Sequence, residues 1–245
     1  TVTMDGNKSI NANFAINTYA VTVSATNGTV TKNPDLASYS HGAGVELTAT
    51  PAAGYHFVNW SGDASGSTNP LTVTMDGNKS ITANFSINTY TLTVSATNGT
   101  VAKNPDQVTY DHGASVQLTA TPAANYHFVN WTGDATGSTN PLTVTMDGNK
   151  TITANFAINS YALTVNATNG TVAKNPDQAT YDHGASVQLT ATPAAGYSFV
   201  NWSGDASGST NPLTVTMDGN KTITANFAIN TYTLTVSATN GTVAK

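Results

Sequence analysis

The sequence predicts a mainly β chain made of small tandem domains, each with about six short strands and at most a short helix. Three observations carry that expectation. Trp60, Trp131 and Trp202 recur every 71 positions, as do Tyr19, Tyr90, Tyr161 and Tyr232. Within each period, apolar residues alternate with threonine and serine, the period-2 mark of half-buried strands. Turn residues punctuate these runs at the spacing of about 8–12 residues expected of all-β domains.

The period sets the domain boundaries, because the repeated unit rather than the chain is what folds. Residues 89–159 and 160–230 are identical at 63 of 71 positions, and 18–88 matches 89–159 at 57 of 71. Residues 18–88, 89–159 and 160–230 are therefore read as repeats 1, 2 and 3. Residues 1–17 read as the C-terminal part of a preceding repeat, and 231–245 as the N-terminal part of a following one. Together these pieces lack the stretch equivalent to 33–71 with its Trp, so they are expected to belong to a window cut from a longer chain.

Composition excludes several classes of function. The chain has no cysteine, which rules out disulfides, thiolate metal sites and cysteine nucleophiles. Only 9% of its 245 residues are charged, with a net charge of −5, against roughly 25% in ordinary domains. Its eight basic residues are spread over the repeats and form no basic patch, so no nucleic-acid partner is expected. No apolar run approaches the roughly 20 residues of a membrane span.

The second repeat illustrates the elements in order. Tyr90, Leu92, Val94 and Ala96 form an alternating strand. Asn98-Gly99 tolerates the positive φ of a type I′ turn, so a tight hairpin onto Thr100-Val101-Ala102 is expected. Asn104-Pro105-Asp106 has the chemistry of a helix start, yet no 3.6-residue apolar period follows, which leaves a turn or a short helix. Val116, Leu118 and Ala120 make the next strand, ended by Pro122. Tyr126 and Phe128 share a face with which Trp131 is out of phase, so a bulge between Phe128 and Trp131 is required for all three to reach one core. Leu142, Val144 and Met146 alternate up to Asp147-Gly148, and Ile152, Ala154 and Phe156 are expected to complete a second hairpin. The core is assigned to Leu118, Tyr126, Phe128, Trp131, Val144 and Phe156.

The segment Phe156-Ala157-Ile158-Asn159-Ser160-Tyr161 joins repeats 2 and 3 without Gly, Pro or any flexible-linker composition. Phe156, Ile158 and Tyr161 are assigned to this inter-repeat junction, and a nearly rigid connection is expected. With compact units of roughly 30 Å, three in line would span roughly 90 Å, as a beaded rod.

Ala120-Thr121-Pro122, Tyr126-His127-Phe128-Val129-Asn130-Trp131 and Ile152-Thr153-Ala154-Asn155-Phe156 resemble bacterial B-repeat-like domains, the internalin-type and divergent repeats of secreted and surface proteins. The pattern G-Y-x-F-x-x-W is complete as Gly54, Tyr55, Phe57, Trp60 and as Gly196, Tyr197, Phe199, Trp202, while Asn125 replaces the glycine in the middle copy. The resemblance implies a β-grasp-like fold, tandem arrangement and extracellular display by bacteria, secreted or at the cell surface, in a family without general catalytic activity.

Candidate chemistry fails on comparison among the copies. Asp111-His112-Gly113 and Asp182-His183-Gly184 become Ser40-His41-Gly42 in the first copy, and His56 and His127 become Ser198 in the third. No metal site or cofactor is therefore expected. The loops at Asp134 and Asp147 lack the pattern of a calcium loop. Tyr110 and Trp131, with Asn130, are the only candidates for stacking on sugar rings, and Lys150 with Asn155 for an isopeptide crosslink. No nucleophile motif occurs, so no enzyme is expected. The leading functional expectation is a structural extracellular stalk or filament whose repeats associate into fibres. The alternative is an adhesin-type array that binds a glycan or host protein.

Overall fold

The computed structural model describes residues 1–242. Residues 243–245, the end of the piece read as the start of a following repeat, lie outside the described residues. The chain divides into two compact units, 1–95 with 102–119 and 132–153, and 96–101 with 120–131 and 154–245. Repeat 1 lies wholly in the first unit and repeat 3 wholly in the second.

Repeat 1 contains β1 (Thr18–Tyr19), β2 (Val21–Ala25), β3 (Gly28–Asn33), β4 (Tyr39–Ser40), β5 (Gly44–Pro51), β6 (Tyr55–Gly62), β7 (Leu71–Thr74) and β8 (Lys79–Ile87). The same eight elements recur in repeats 2 and 3, and no helix occurs among the described residues. Six of the strands form two three-stranded sheets, in the orders β2-β8-β6 and β3-β5-β7, while β1 and β4 make a two-stranded pair. The fold is therefore all-β in tandem small domains, as the alternation indicated.

The strand partners differ from those expected at two turns. Asn27, Asn98 and Asn169 do take positive φ, at 67°, 64° and 68°. The strands on either side of each, however, belong to different sheets. In repeat 2 the Asn98-Gly99 turn thus carries the chain from one sheet to the other and closes no hairpin. The same holds at Asp147-Gly148: Leu142–Thr145 pairs with Ser115–Pro122, whereas Lys150–Ile158 lies in the opposite sheet. An αL residue specifies a sharp reversal but not which edges hydrogen-bond afterwards.

The first long strand pairs with the last. In repeat 1, β2 runs parallel to β8, from Val21 opposite Lys79 to Ala25 opposite Ala83. Strand β6 lies antiparallel on the other side of β8, with a register shift between Phe57 and Asn59. Repeat 3 shows the same shift between Phe199 and Asn201. This is the bulge that the phase of Trp131 required, and it turns the tryptophan inward.

Alternation places Val45, Leu47 and Ala49 of β5 in the core with Trp60, Val73, Met75, Ile81 and Ala83. Removing each of the larger aliphatic side chains from water contributes roughly 1.5–3 kcal/mol. The Trp60 indole N–H donates to Thr68 O at 2.9 Å, which satisfies its one polar group inside the core. Phe57 packs against Trp60 and Phe85, with ring centroids 5.2 and 5.9 Å away. In repeat 2, Leu118, Trp131 and Val144 are buried, and Phe128 and Phe156 are half-buried. Tyr126, also assigned to the core, is half-buried, but its counterparts Tyr55 and Tyr197 do not pack on their core clusters as Phe57 and Phe199 do.

The segment with helix-start chemistry is a loop after a cis Asn104–Pro105 bond. Its backbone groups go to a tyrosine: the Tyr110 hydroxyl donates to Pro105 O at 2.9 Å and accepts from Gln107 N at 3.1 Å. Tyr39 and Tyr181 do the same in their own repeats. With donors and acceptors met in this way, no helical turn is needed there.

Residues 1–17 and 231–242 form no strand, and Phe14 is 94% exposed where its counterpart Phe85 packs on a core. The same kind of sequence forms a strand only where the rest of its repeat surrounds it.

Candidate functional site: the joint between consecutive repeats

Asn88 is the single residue between β8 and the first short strand of repeat 2, Thr89–Tyr90. It ties both sides. Its N–H donates to Gly54 O of repeat 1 at 2.8 Å, and its carbonyl accepts from the His112 N–H of repeat 2 at 2.8 Å. Its side-chain Oδ1 meets His56 Nδ1 at 2.8 Å, an arrangement that puts the proton on that nitrogen. Asn159 repeats the pattern at the next joint. There its N–H donates to Asn125 O, its carbonyl accepts from His183 N, both at 2.8 Å, and its Oδ1 meets His127 Nδ1 at 3.0 Å.

The histidine of the Asp-His-Gly turn completes each joint. The turn is held by its own repeat, since Gly113 N donates to Met146 O at 2.7 Å and Gly184 N to Met217 O at 2.7 Å. From that position the His112 ring lies directly against Gly54, which adopts a φ of +79°. A Tyr90 edge packs on the same imidazole, with centroids 6.0 Å apart, and Tyr161 does so on His183. His112 and His183 are half-buried, whereas His41, with no complete repeat before it, is exposed. The Nδ1 atoms of both His112 and His183 are buried without a hydrogen-bond partner. Leaving such an atom unpaired costs on the order of 1–3 kcal/mol, so ring packing has to offset that cost.

The three residues assigned to the junction are divided by the structure. Ile158 is half-buried there, and Ile229, its counterpart with no folded repeat after it, is 67% exposed. Tyr161 is half-buried against the core of its own repeat, as Tyr19 is in repeat 1. The Phe156 ring also faces its own repeat, over Gly99 and at 5.8 Å from Phe128. What the sequence reading missed were the Asn88 and Asn159 nodes and the histidines. The signal available was that His41, His112 and His183 persist in every copy although the residue before them changes.

Other candidates are occupied by structural work. Tyr110 is 1% exposed and Trp131 0%, so neither offers a face to a sugar ring. Asp134 accepts from Thr151 N at 2.7 Å, and no cluster of three or more metal-ligating side chains occurs among the described residues. Lys150 pairs with Asp147 at 2.6 Å and Asn155 Nδ2 donates to Asn130 Oδ1 at 2.8 Å, so the two isopeptide candidates have separate partners. Each of the seven described lysines pairs with an aspartate three residues away. The Lys150 hydrogen bond holds the Asp147 carboxyl below its ordinary value, as Lys79 does for Asp76 and Lys221 for Asp218. Conversely, hydrogen bonds to Asp35, Asp106 and Asp177 raise Lys32, Lys103 and Lys174.

The family model of the divergent InlB B-repeat domain matches residues 19–89, 90–160 and 161–231. The chain belongs to the divergent InlB B-repeat family. No curated protein matches this array of B-repeats. Nine chains of solved structures match the B-repeats here. One is the Bacillus anthracis TIE protein, 7% identical with a TM-score of 0.37, covering 86% of this chain and 51% of that one. The B-repeat chain thus spans about half the length of that protein's chain. The B-repeat unit accounts for both the tandem copies and the aromatic pattern around Trp60, Trp131 and Trp202.

Proposed function

We propose that this chain is a structural, non-catalytic segment of a secreted or surface-displayed bacterial protein, in which the repeats act as spacers of a stalk or filament. The observation that supports this reading is the repeated joint: Asn88 and Asn159 make the same three bonds to the repeats on either side. A joint built from backbone groups and a one-residue connector constrains rotation more than a Gly/Ser linker would. Repetition of one joint then makes spacing a function of repeat number.

Fibre formation is part of the proposal. With lysines neutralised by neighbouring aspartates, the surface presents little charge to keep copies apart. The test is small-angle scattering on chains with one, two and three complete repeats. The maximum dimension should rise by roughly 30 Å per repeat. A dimension that grows only as a flexible chain would reject the spacer. Electron microscopy of the purified protein should show fibres, and dispersed particles would reject self-association.

A further inference from the structure

We propose that each repeat is built to resist tension along the chain, with the parallel pair of its first and last long strands as the mechanical clamp. This goes beyond the spacer reading, since it concerns the inside of one repeat and holds whether or not the joints fix the spacing.

The geometry follows from polarity. Strand β2 is entered from the N-terminal side of repeat 1, and β8 leaves at its C-terminal side. The two lie next to each other and parallel over five residue pairs, Val21–Lys79 to Ala25–Ala83. Parallel strands place the start of β2 and the end of β8 at opposite ends of the ladder. Pulling on both ends of the repeat therefore slides one strand along the other. All the hydrogen bonds between them are loaded at once, and none can open alone. Had the strands been antiparallel, the same pull would have opened the bonds one at a time from the end. Repeat 3 has the same arrangement, Leu163–Lys221 to Ala167–Ala225, and the corresponding strands of repeat 2 are also neighbours.

The end where tension enters is reinforced. The Ala20 N–H donates to Asn78 Oδ1 at 2.8 Å, and its carbonyl accepts from Lys79 N at 3.0 Å. Thr91 with Asn149 and Lys150, and Ala162 with Asn220 and Lys221, repeat both bonds. The residue just before the strand is thus pinned on both its polar groups to the turn that starts the last strand. Across the ladder, Ser24 Oγ meets Thr82 Oγ1 at 2.8 Å, and Ser95 meets Thr153 at 2.8 Å. Strand β8 is also the centre of its sheet, held by β6 on its other side, so it cannot be withdrawn without breaking a second ladder.

Forced unfolding is governed by the unfolding barrier rather than by equilibrium stability. The two can be separated by changing only the direction of pull. The chain has no cysteine, so engineered thiols give unique handles in the otherwise complete protein. In the variant Thr18→Cys/Ser86→Cys the handles sit at opposite ends of the clamp, and optical tweezers load it in shear. In Thr26→Cys/Ser86→Cys both sit at one end, and the same repeat is unzipped. These side chains are exposed, and matching thermal unfolding confirms an intact fold.

Opening in shear should release about 230 Å of chain at about 3.4 Å per residue, less the folded span, at a force several-fold above that for unzipping. Adding Asn78→Ala should lower the shear force and leave the unzipping force unchanged. Equal forces in the two directions, or a shear force indifferent to Asn78→Ala, would overturn the clamp. Neither result bears on the scattering test of spacing.

Discussion

The imidazole of His112 covers the α-carbon of Gly54, one residue from each of two consecutive repeats, so closely that a β-carbon at position 54 would enter the ring. Position 54 is therefore where the fold of one repeat and its attachment to the next meet.

Gly54→Ala should disturb both. At a φ of +79° an alanine costs roughly 1 kcal/mol or more, and its methyl displaces His112. The melting temperature of repeat 1 should fall by about 4–8 °C per kcal/mol, with shifted His112 resonances. Gly54→Asn should relieve the φ part of the cost, because Asn125 already holds the equivalent place at a φ of 67°, but its β-carbon should still shift His112. Thermal melting and NMR of the two variants provide the comparison.

Trp131→Ala removes the largest buried side chain of repeat 2, at a cost of about 3–5 kcal/mol. A domain of this size has a stability of the same order. Repeat 2 should lose most of its folded population while repeats 1 and 3 keep theirs. Calorimetry should then show a loss of about one third of the unfolding enthalpy; loss of the whole transition would mean that the repeats do not unfold separately.

Asn98 holds a φ of 64° at the crossing between sheets. Asn98→Ala should destabilise repeat 2 by roughly 1–2 kcal/mol, whereas Asn98→Gly should be close to neutral by urea unfolding, since glycine adopts positive φ readily.

The aspartate–lysine pairs fix the direction of the pH response. A carboxyl depressed in the folded state stabilises fully above the ordinary value of 3.8, and that contribution is lost as pH falls through its lower folded value. A lysine raised in the folded state stabilises fully below 10.5, and loses that contribution as pH rises through its higher folded value. Carboxyl NMR should find the Asp147 midpoint below that of an ordinary aspartate, returning toward it in Lys150→Met. The aspartates of these pairs are exposed, so added salt should shrink both effects.

Strand content, the bulge found before Trp60 and Trp202, and the positive φ of Asn98 were legible because each is a local demand on local residues. The phase slip between Phe128 and Trp131 can be met only by an extra residue, and Asn-Gly only by a sharp turn. Pairing was not legible. Period 2 shows that Leu92–Ala96 is a strand with one buried face, yet nothing local shows that its partner is the last strand of the repeat, 58 residues on. At the joint, Tyr161 packs on the core of its own repeat, while Ile158 was visible as an apolar residue in a Gly-free segment. The Asn159 node was not, because two of its three bonds use main-chain atoms that every residue possesses. Phe156 looked like a junction residue by position, but its ring turns back over Gly99.

The parallel pairing of β2 with β8 also bears on how near-identical repeats avoid assembling with one another. Consecutive copies normally risk exchanging strands. The last strand of repeat 1 ends at Ile87 and the first long strand of repeat 2 starts at Leu92, leaving four residues between them. Joining two parallel neighbours takes a connection of about a dozen residues. The wrong partner that lies nearest along the chain is thus out of reach by geometry, and strand polarity acts as a proofreading rule for a sequence that cannot tell its own copies apart.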